Sequence, residues 1–185
     1  MKRLIDILGS CVGLVVLAPV IAAGVVAARL SSPGPGIFSQ TRVGRHGAPF
    51  RCHKLRTMHL GTPNIPTHEA TASHVTSVGR FLRRTKLDEL PQLYNVLRGE
   101  MSLVGPRPCL PSQTELVRLR QERGITNIRP GITGLAQIRG IDMSNPARLC
   151  DADAEYLASA STMLDLRILL GTVFSGAGQG DKVRL

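Results

Sequence analysis

The clearest hydrophobic pattern in the chain is a long stretch near its start, residues 7–28, which contains no charged side chain. As a helix this stretch would be about 33 Å long, enough to cross a hydrocarbon core of about 30 Å. Pro19 lies in its middle and removes a helical hydrogen bond, so the sequence predicts a sharp kink there. Basic side chains flank both ends, whereas a spanning helix normally carries them on one side. The pattern therefore favours a re-entrant membrane helix over residues 1–30, with a single spanning helix as the alternative.

The pattern changes after this stretch, because residues 31–36 consist of Ser, Pro and Gly and end the helix. The short runs 37–43 and 49–56 flank a Gly-containing turn, and they predict a small β-hairpin. Residues 58–77 contain Gly and Pro but show no apolar periodicity, which predicts a surface loop.

Helical spacing dominates the rest of the chain. Apolar residues interrupted at Pro91 predict two short helical pieces within residues 86–98. Residues 112–123 predict a surface helix, and residues 146–174 predict one long helix. The second half of that long helix is strongly apolar, and the sequence leaves open whether it packs in the core or lies along a membrane interface.

Together these elements predict an α+β fold that is mainly α. The expected parts are a kinked re-entrant membrane helix at residues 1–30, a compact domain at 31–174, and a flexible tail at 175–185. The domain combines the small β-hairpin with helices, some of them amphipathic and interfacial.

Composition narrows the class of partner. The chain of 185 residues has 23 Lys and Arg against 13 Asp and Glu, a net charge of +10, which favours a polyanionic partner. Nucleic acid is disfavoured, because only 3% of the residues are aromatic and base-stacking surfaces need aromatic rings. The four cysteines and five histidines do not have the spacing of a metal site, and the cysteines indicate no disulfide framework.

The densest group of reactive side chains runs from Arg83 to Arg107, where cations surround the neighbouring carboxylates of Asp88 and Glu89. Phosphoryl transfer needs cations, and often a divalent metal on carboxylate oxygens, to neutralise the transferring group. A bland alternative is an acidic first turn of a helix, which the helix dipole favours.

The chain contains seven short motifs whose order and spacing resemble those of the bacterial sugar transferase family. The members of that family are small monotopic phosphoglycosyl transferases. The resemblance covers residues 1 to about 174 and implies the minimal form of that family, with a magnesium-dependent site at the cytoplasmic face of the bacterial inner membrane. The motifs are KRLID at 2–6, SPGP at 32–35, QTRVG at 40–44, KLRTM at 54–58, LDELPQL at 87–93, GPRP at 105–108 and RPGITG at 129–134.

The resemblance implies a role for each carboxylate. Asp88 would be the nucleophile that attacks the diphosphate of a UDP-sugar, releases UMP and carries the phosphosugar until polyprenyl phosphate takes it. Asp88 would also contact Mg²⁺, and Glu89 would support the metal or assist the nucleophile. An aspartyl intermediate is chemically reasonable, because it splits one difficult transfer into two easier ones.

The resemblance also implies binding residues around this pair. The phosphate-binding candidates are Arg83 and Arg107, with Lys54 and Arg56 as weaker ones, since a planar guanidinium suits phosphate. The candidates on the nucleotide-sugar side are Pro106, Arg129, Pro130, Gly131 and Gln137. For Pro130 and Gly131 a simple tight turn explains the residue types equally well.

Two positions depart from the usual family pattern. Ala18 replaces a common Ser before Pro19, and Leu135 replaces a common Trp. The identity of the sugar is not encoded in any diagnostic residue, and a homodimer in membrane lipid is a further expectation. The competing function is a membrane adaptor with a basic domain, for which Asp88 would be dispensable.

Overall fold

The structure is a computed structural model that describes residues 1–62 and 72–174. Its secondary structure is mainly helical, as expected, with two small sheets. The helices are α1 Lys2–Ser31, α2 Ser77–Thr85, α3 Gln92–Arg98, α4 Thr114–Glu122, α5 Leu135–Ile138, α6 Pro146–Ser159 and α7 Thr162–Phe174, and the strands are β1 Ile37–Val43, β2 Pro49–Leu55, β3 Ser102–Val104 and β4 Gly131–Thr133.

The predicted hairpin is confirmed. Strands β1 and β2 pair antiparallel, with Ile37 opposite Leu55 and Val43 opposite Pro49. The turn is closed by a hydrogen bond of 2.8 Å from the amide of Gly44 to the carbonyl of Ala48. Buried and exposed positions alternate at the start of β2, where the buried Phe50 and Cys52 pack against Val96 of α3.

A second sheet was not predicted. Strand β3 pairs with β4 in parallel, through Ser102 with Gly131 and Val104 with Thr133. The backbones approach so closely that a Cβ atom on Gly131 would lie 2.1 Å from the amide nitrogen of Gly105. Gly131 is therefore required by the packing of two strands rather than by a turn alone.

The prediction of a single long helix at 146–174 is wrong. The chain breaks into α6 and α7 at Ala160, whose backbone leaves the helical region at φ −54° and ψ 119°. The side chain of Ser161 then accepts a hydrogen bond of 3.2 Å from the amide of Leu164, which caps the new helix. On α7, Ile168 is fully buried whereas Leu166 and Leu170 are half exposed, so the helix has one core face and one outer face.

Two other predictions fall partly or wholly outside the described residues. The flexible tail at 175–185 and the middle of the loop at 58–77 lie there. The described ends of that loop include a short 3₁₀ turn at Ala72–His74 and an isolated bridge between Met58 and Val75.

Three groups of buried side chains form the core. The first joins α4 to α6, the second holds the hairpin against α3, and the third places β3 against α5, α6 and α7. They are, in turn, Leu116, Ile125, Leu149 and Cys150; Phe50, Cys52, Val96 and Met101; and Val104, Leu135, Tyr156 and Ile168.

The first turns of α1 are bonded to this domain. The carboxylate of the buried Asp6 accepts hydrogen bonds from the Ser102 hydroxyl at 3.0 Å and the Leu103 amide at 2.9 Å. Arg3 donates to the last carbonyls of α3, and Lys2 donates to Asp165 of α7 at 2.6 Å. The N-terminal end of α1 is therefore fixed on β3, α3 and α7 at once.

The other end of α1 is fixed as well. The guanidinium of Arg56, at the end of β2, donates to the carbonyls of Ala28 at 3.0 Å and Ser32 at 2.7 Å. Between the two ends the helix is mostly exposed around Pro19, including Val15 and Val16. It is long and apolar enough to cross a membrane by length and composition alone. Helix α1 continues through Pro19, and the predicted kink and re-entrant path stay predictions.

We expect Asp6→Ala to lower the free energy of unfolding by about 1–3 kcal/mol, because it leaves the Ser102 hydroxyl and the Leu103 amide without their acceptor. Asp142→Ala is the matched control, since Asp142 also accepts from a backbone amide and a hydroxyl, both of Ser144, but near the surface. Thermal unfolding in detergent measures the difference. Equal losses in the two variants would contradict a special role of Asp6 in holding α1.

Candidate active site

The Asp88–Glu89 pair stands on a short turn between two helices. Helix α2 begins after Thr76, whose hydroxyl accepts from the Gly79 amide at 2.9 Å, and ends at Lys86 in the left-handed conformation, φ 57°. A 3₁₀ turn at Leu87–Glu89 follows at once. A left-handed backbone is uncommon for a residue other than Gly, so this sharp change of direction is imposed by its surroundings.

Asp88 lies at a cleft of about 390 Å³. The residue as a whole is largely buried, at 7% exposure. It is the one carboxylate among the cleft-lining residues of the described chain, and cations line the same cleft. These cations are Arg42, Arg51, Lys54, Arg56 and Arg83. The cleft is therefore suited to an anionic ligand that approaches a single buried carboxylate.

Glu89, in contrast, binds protein cations. One oxygen, Oε1, accepts from Lys54 at 3.0 Å and from Arg107 at 2.8 Å. Burial opposes the charge of Glu89, but Arg107 and Lys54 hold its pKa well below the usual range. The two neighbouring carboxylates are thus in different environments, and Glu89 joins β2 to the segment after β3.

Arg83 is the predicted phosphate-binding residue that best fits the cleft. Its Nε donates to the Thr57 hydroxyl at 2.9 Å, which fixes the guanidinium, while its buried Nη1 has no partner among the described residues. A buried N–H group without an acceptor is costly, and an anionic ligand would remove that cost. Arg107 does not line the cleft, and its guanidinium binds Glu89 instead.

Arg56 binds the end of α1. It lines the cleft, but its terminal nitrogens donate to the carbonyls of Ala28 and Ser32 and to that of Pro33, just after the helix. Its predicted phosphate role stays a prediction. Arg83 and Lys54 also line the cleft, and Lys54 in addition binds Glu89, which lies next to Asp88 in the chain.

The five residues predicted on the nucleotide-sugar side do not line the large cleft. Arg129 donates to the carbonyl of Gly99 at 2.7 Å, and Gln137 donates to that of Ile132 at 3.1 Å. The remaining three support the β3–β4 contact, where the Gly131 amide donates to the Pro106 carbonyl at 2.9 Å and the Ser102 amide to that of Pro130 at 2.8 Å. Their contacts hold the β3–β4 region together, and their predicted role on the nucleotide-sugar side stays a prediction.

Two features of the site were missed in the sequence. Arg42 and Arg51 of the hairpin line the cleft, and nothing in their local sequence distinguishes them from other strand residues. Arg120 and Asp153 form a buried ion pair of 2.6 Å, and Arg120 also donates to the backbone carbonyl of Arg107 at 2.8 Å. A basic residue on the apolar side of α4 was the signal that could have revealed this pair.

The residues present fit a magnesium ion in part. No cluster of three or more metal-binding side chains occurs within residues 1–62 and 72–174. Mg²⁺ is often held by one or two carboxylates together with substrate phosphates and water. Asp88 offers such a carboxylate at the cleft, and a diphosphate could supply further oxygens.

Comparison with known proteins identifies the family. Residues 1–179 match the model of the bacterial sugar transferase family, so the chain belongs to that family. Two similar proteins, both named UDP-glucose:undecaprenyl-phosphate glucose-1-phosphate transferase, come from Caulobacter vibrioides, at 41% identity, and Escherichia coli, at 40%. A protein from Rhizobium leguminosarum bv. phaseoli, named exopolysaccharide production protein PSS, is 37% identical.

These relatives differ in length. The matches cover 93% of this chain and 68% of the Caulobacter protein, and 95% of this chain and 40% of the Escherichia coli protein. The Rhizobium match covers 97% of this chain and 96% of that protein. The similarity thus includes nearly all of this chain, whereas it spans less than half of the Escherichia coli relative.

We expect Asp153→Ala to destabilise the protein by about 3–5 kcal/mol, because it leaves the charge of Arg120 buried without a partner. Asp151→Ala is the matched control on the same helix, since Asp151 pairs with Arg123 and is 68% exposed. Chemical unfolding measures both variants, and Asp151→Ala should match the wild type. A small loss for Asp153→Ala would show that Arg120 finds another acceptor.

Proposed function

We propose that this protein moves a sugar-1-phosphate from a UDP-sugar to undecaprenyl phosphate or a similar polyprenyl phosphate. The observation that carries the proposal is the position of Asp88, the one carboxylate that lines the cation-rich cleft within residues 1–62 and 72–174. The names of the Caulobacter and Escherichia coli relatives support the same donor and acceptor classes. Such a transfer is a membrane step that supplies a lipid-linked sugar for exopolysaccharide or other glycan synthesis.

In the first step an oxygen of Asp88 attacks the sugar-bearing phosphorus of the UDP-sugar. The bond from that phosphorus to the oxygen shared with UMP breaks, UMP leaves with that oxygen, and the phosphosugar stays on Asp88. Arg83 and Lys54 line the cleft where the diphosphate would lie, so they would balance the negative charge that builds up there.

In the second step a phosphate oxygen of the acceptor attacks the same phosphorus. The bond to Asp88 breaks, the free carboxylate returns, and the product is a polyprenyl diphosphate sugar. Two half-reactions on one nucleophile imply ping-pong kinetics. Glu89 fits a positioning role, because its bonds to Lys54 and Arg107 fix the turn that holds Asp88.

A magnesium ion would be held by Asp88 and by phosphate oxygens of the substrate, where it would neutralise part of the diphosphate charge. Because Glu89 is already bound to two cations, it is a poorer candidate for the metal.

We expect Asp88→Asn to reduce UMP release at least roughly a thousandfold, since an amide cannot serve as the nucleophile. Purified protein with Mg²⁺, undecaprenyl phosphate and UDP-glucose, followed by other UDP-sugars, provides the assay. Asp142→Asn, which alters a carboxylate away from the cleft, should retain activity. Folded wild-type protein that is silent with every donor would favour the adaptor, and equal activity of Asp88→Asn would exclude the covalent route.

The membrane path is proposed on the same basis. The two ends of α1 are held on one domain, by Asp6 and by Arg56, which supports a helix that enters and leaves the membrane on the cytoplasmic face. In a chain with Cys11→Ser, we expect Leu4→Cys and Leu30→Cys to react with an impermeant maleimide from one side of the membrane. Labelling from opposite sides would establish the spanning alternative.

A further inference from the structure

The side chains that line the cleft fall into two chemically different sets, which meet in the hairpin, where Phe38 of β1 stands opposite Lys54 of β2. One set, the cationic wall, carries Asp88 with the cations described above. The other is apolar and includes two strongly exposed side chains, Phe38 at 46% and Leu60 at 61% exposure. We call it the apolar wall, and it consists of Phe38, Leu55, Met58 and Leu60. Exposed apolar side chains in a cleft are typical of a surface that a ligand covers.

The apolar wall is continuous with the membrane helix. The side chain of Leu55 packs directly on Gly24 of α1, where even a Cβ atom would collide with it. The side chain of Leu60 lies against Gly34, just after the end of α1, and a Cβ atom there would be 2.8 Å from its Cδ1. The wall therefore runs from the membrane helix to the cleft that contains Asp88.

We propose that the apolar wall holds the isoprenoid chain of the acceptor next to its phosphate, while the cationic wall receives the phosphate itself. This inference rests on the proposed function and adds where the acceptor binds. The occupant it requires is an amphiphile with an anionic head, because the two walls offer opposite chemistry at one site.

Charge and polarity distinguish this occupant from the nucleotide base. Uracil carries hydrogen-bonding groups, and packing it against Leu and Met side chains would leave them without partners. An isoprenoid chain has no such groups and gains free energy from every methylene that leaves water. Its phosphate must also travel from the bilayer surface to Asp88, and the apolar wall offers apolar contacts to the attached chain.

The test separates the two substrates kinetically. We expect Phe38→Ser and Leu60→Ser each to raise the KM for undecaprenyl phosphate at least about fivefold, since apolar contact area is lost. Their exchange of labelled UMP into UDP-sugar, measured without acceptor, should change by less than about twofold, because that half-reaction does not use the lipid. Phe81→Ser is the matched control, since Phe81 is 51% exposed on α2 and does not line the cleft.

Phe38→Leu distinguishes an isoprenoid contact from base stacking. Leu keeps apolar area but has no ring, so the KM for undecaprenyl phosphate should stay within about twofold of wild type. A raised KM for the UDP-sugar with an unchanged KM for the lipid, in either Ser variant, would assign the wall to the donor and overturn the proposal. An equal effect of Phe81→Ser would also overturn it, as a general loss of membrane attachment.

Measurements on the wild-type protein distinguish a wrong acceptor site from a wrong proposed function. If the wild-type protein turns over and both Ser variants behave like it, only the acceptor site is wrong. If the wild-type protein neither exchanges UMP nor forms lipid product with any UDP-sugar, the proposed function itself is wrong, and the acceptor site is overturned with it.

Discussion

The site depends on the two ion pairs of Glu89. A single oxygen of this carboxylate binds Lys54 from the hairpin and Arg107 from the segment after β3, so three distant parts of the chain meet at one atom. Partly buried charges are costly unless they are paired, and here the pairing fixes the 3₁₀ turn that carries Asp88. The neighbouring carboxylates thereby acquire opposite tasks: Glu89 supports the framework, and Asp88 is left at the cleft.

A second chain of contacts reaches this point from the core. Arg120 is paired with Asp153 and donates to the carbonyl of Arg107, which in turn binds Glu89. The packing of α4 on α6 is thereby linked to the position of the nucleophile candidate. Helix α1 enters the same framework at both ends, so this long apolar helix is a structural part of the domain that holds the cleft.

Local signals in the sequence predicted the parts of the structure that local interactions determine. The hairpin followed from two short runs and a Gly-containing turn, and the density of charge around Asp88 pointed to a segment of which Arg83 and Asp88 line the cleft. The parallel β3–β4 pair was missed, because each strand is only three residues long and the partners are far apart in the chain. The break at Ala160 was missed because no Gly or Pro marks it. Sequence could not separate Arg83 from Arg56 either, since only the fold decides which guanidinium meets helix carbonyls.

The contact between Gly24 and Leu55 has a consequence for how the protein adapts to different lipids. A membrane helix usually adjusts to bilayer thickness by tilting or by a change in the length of its apolar stretch. Here Leu55 both touches that helix and lines the cleft, with no room for a side chain at position 24. On the proposed membrane path, a tilt of α1 would therefore move Leu55, and a mismatch in hydrophobic thickness would be transmitted to the shape of the cleft.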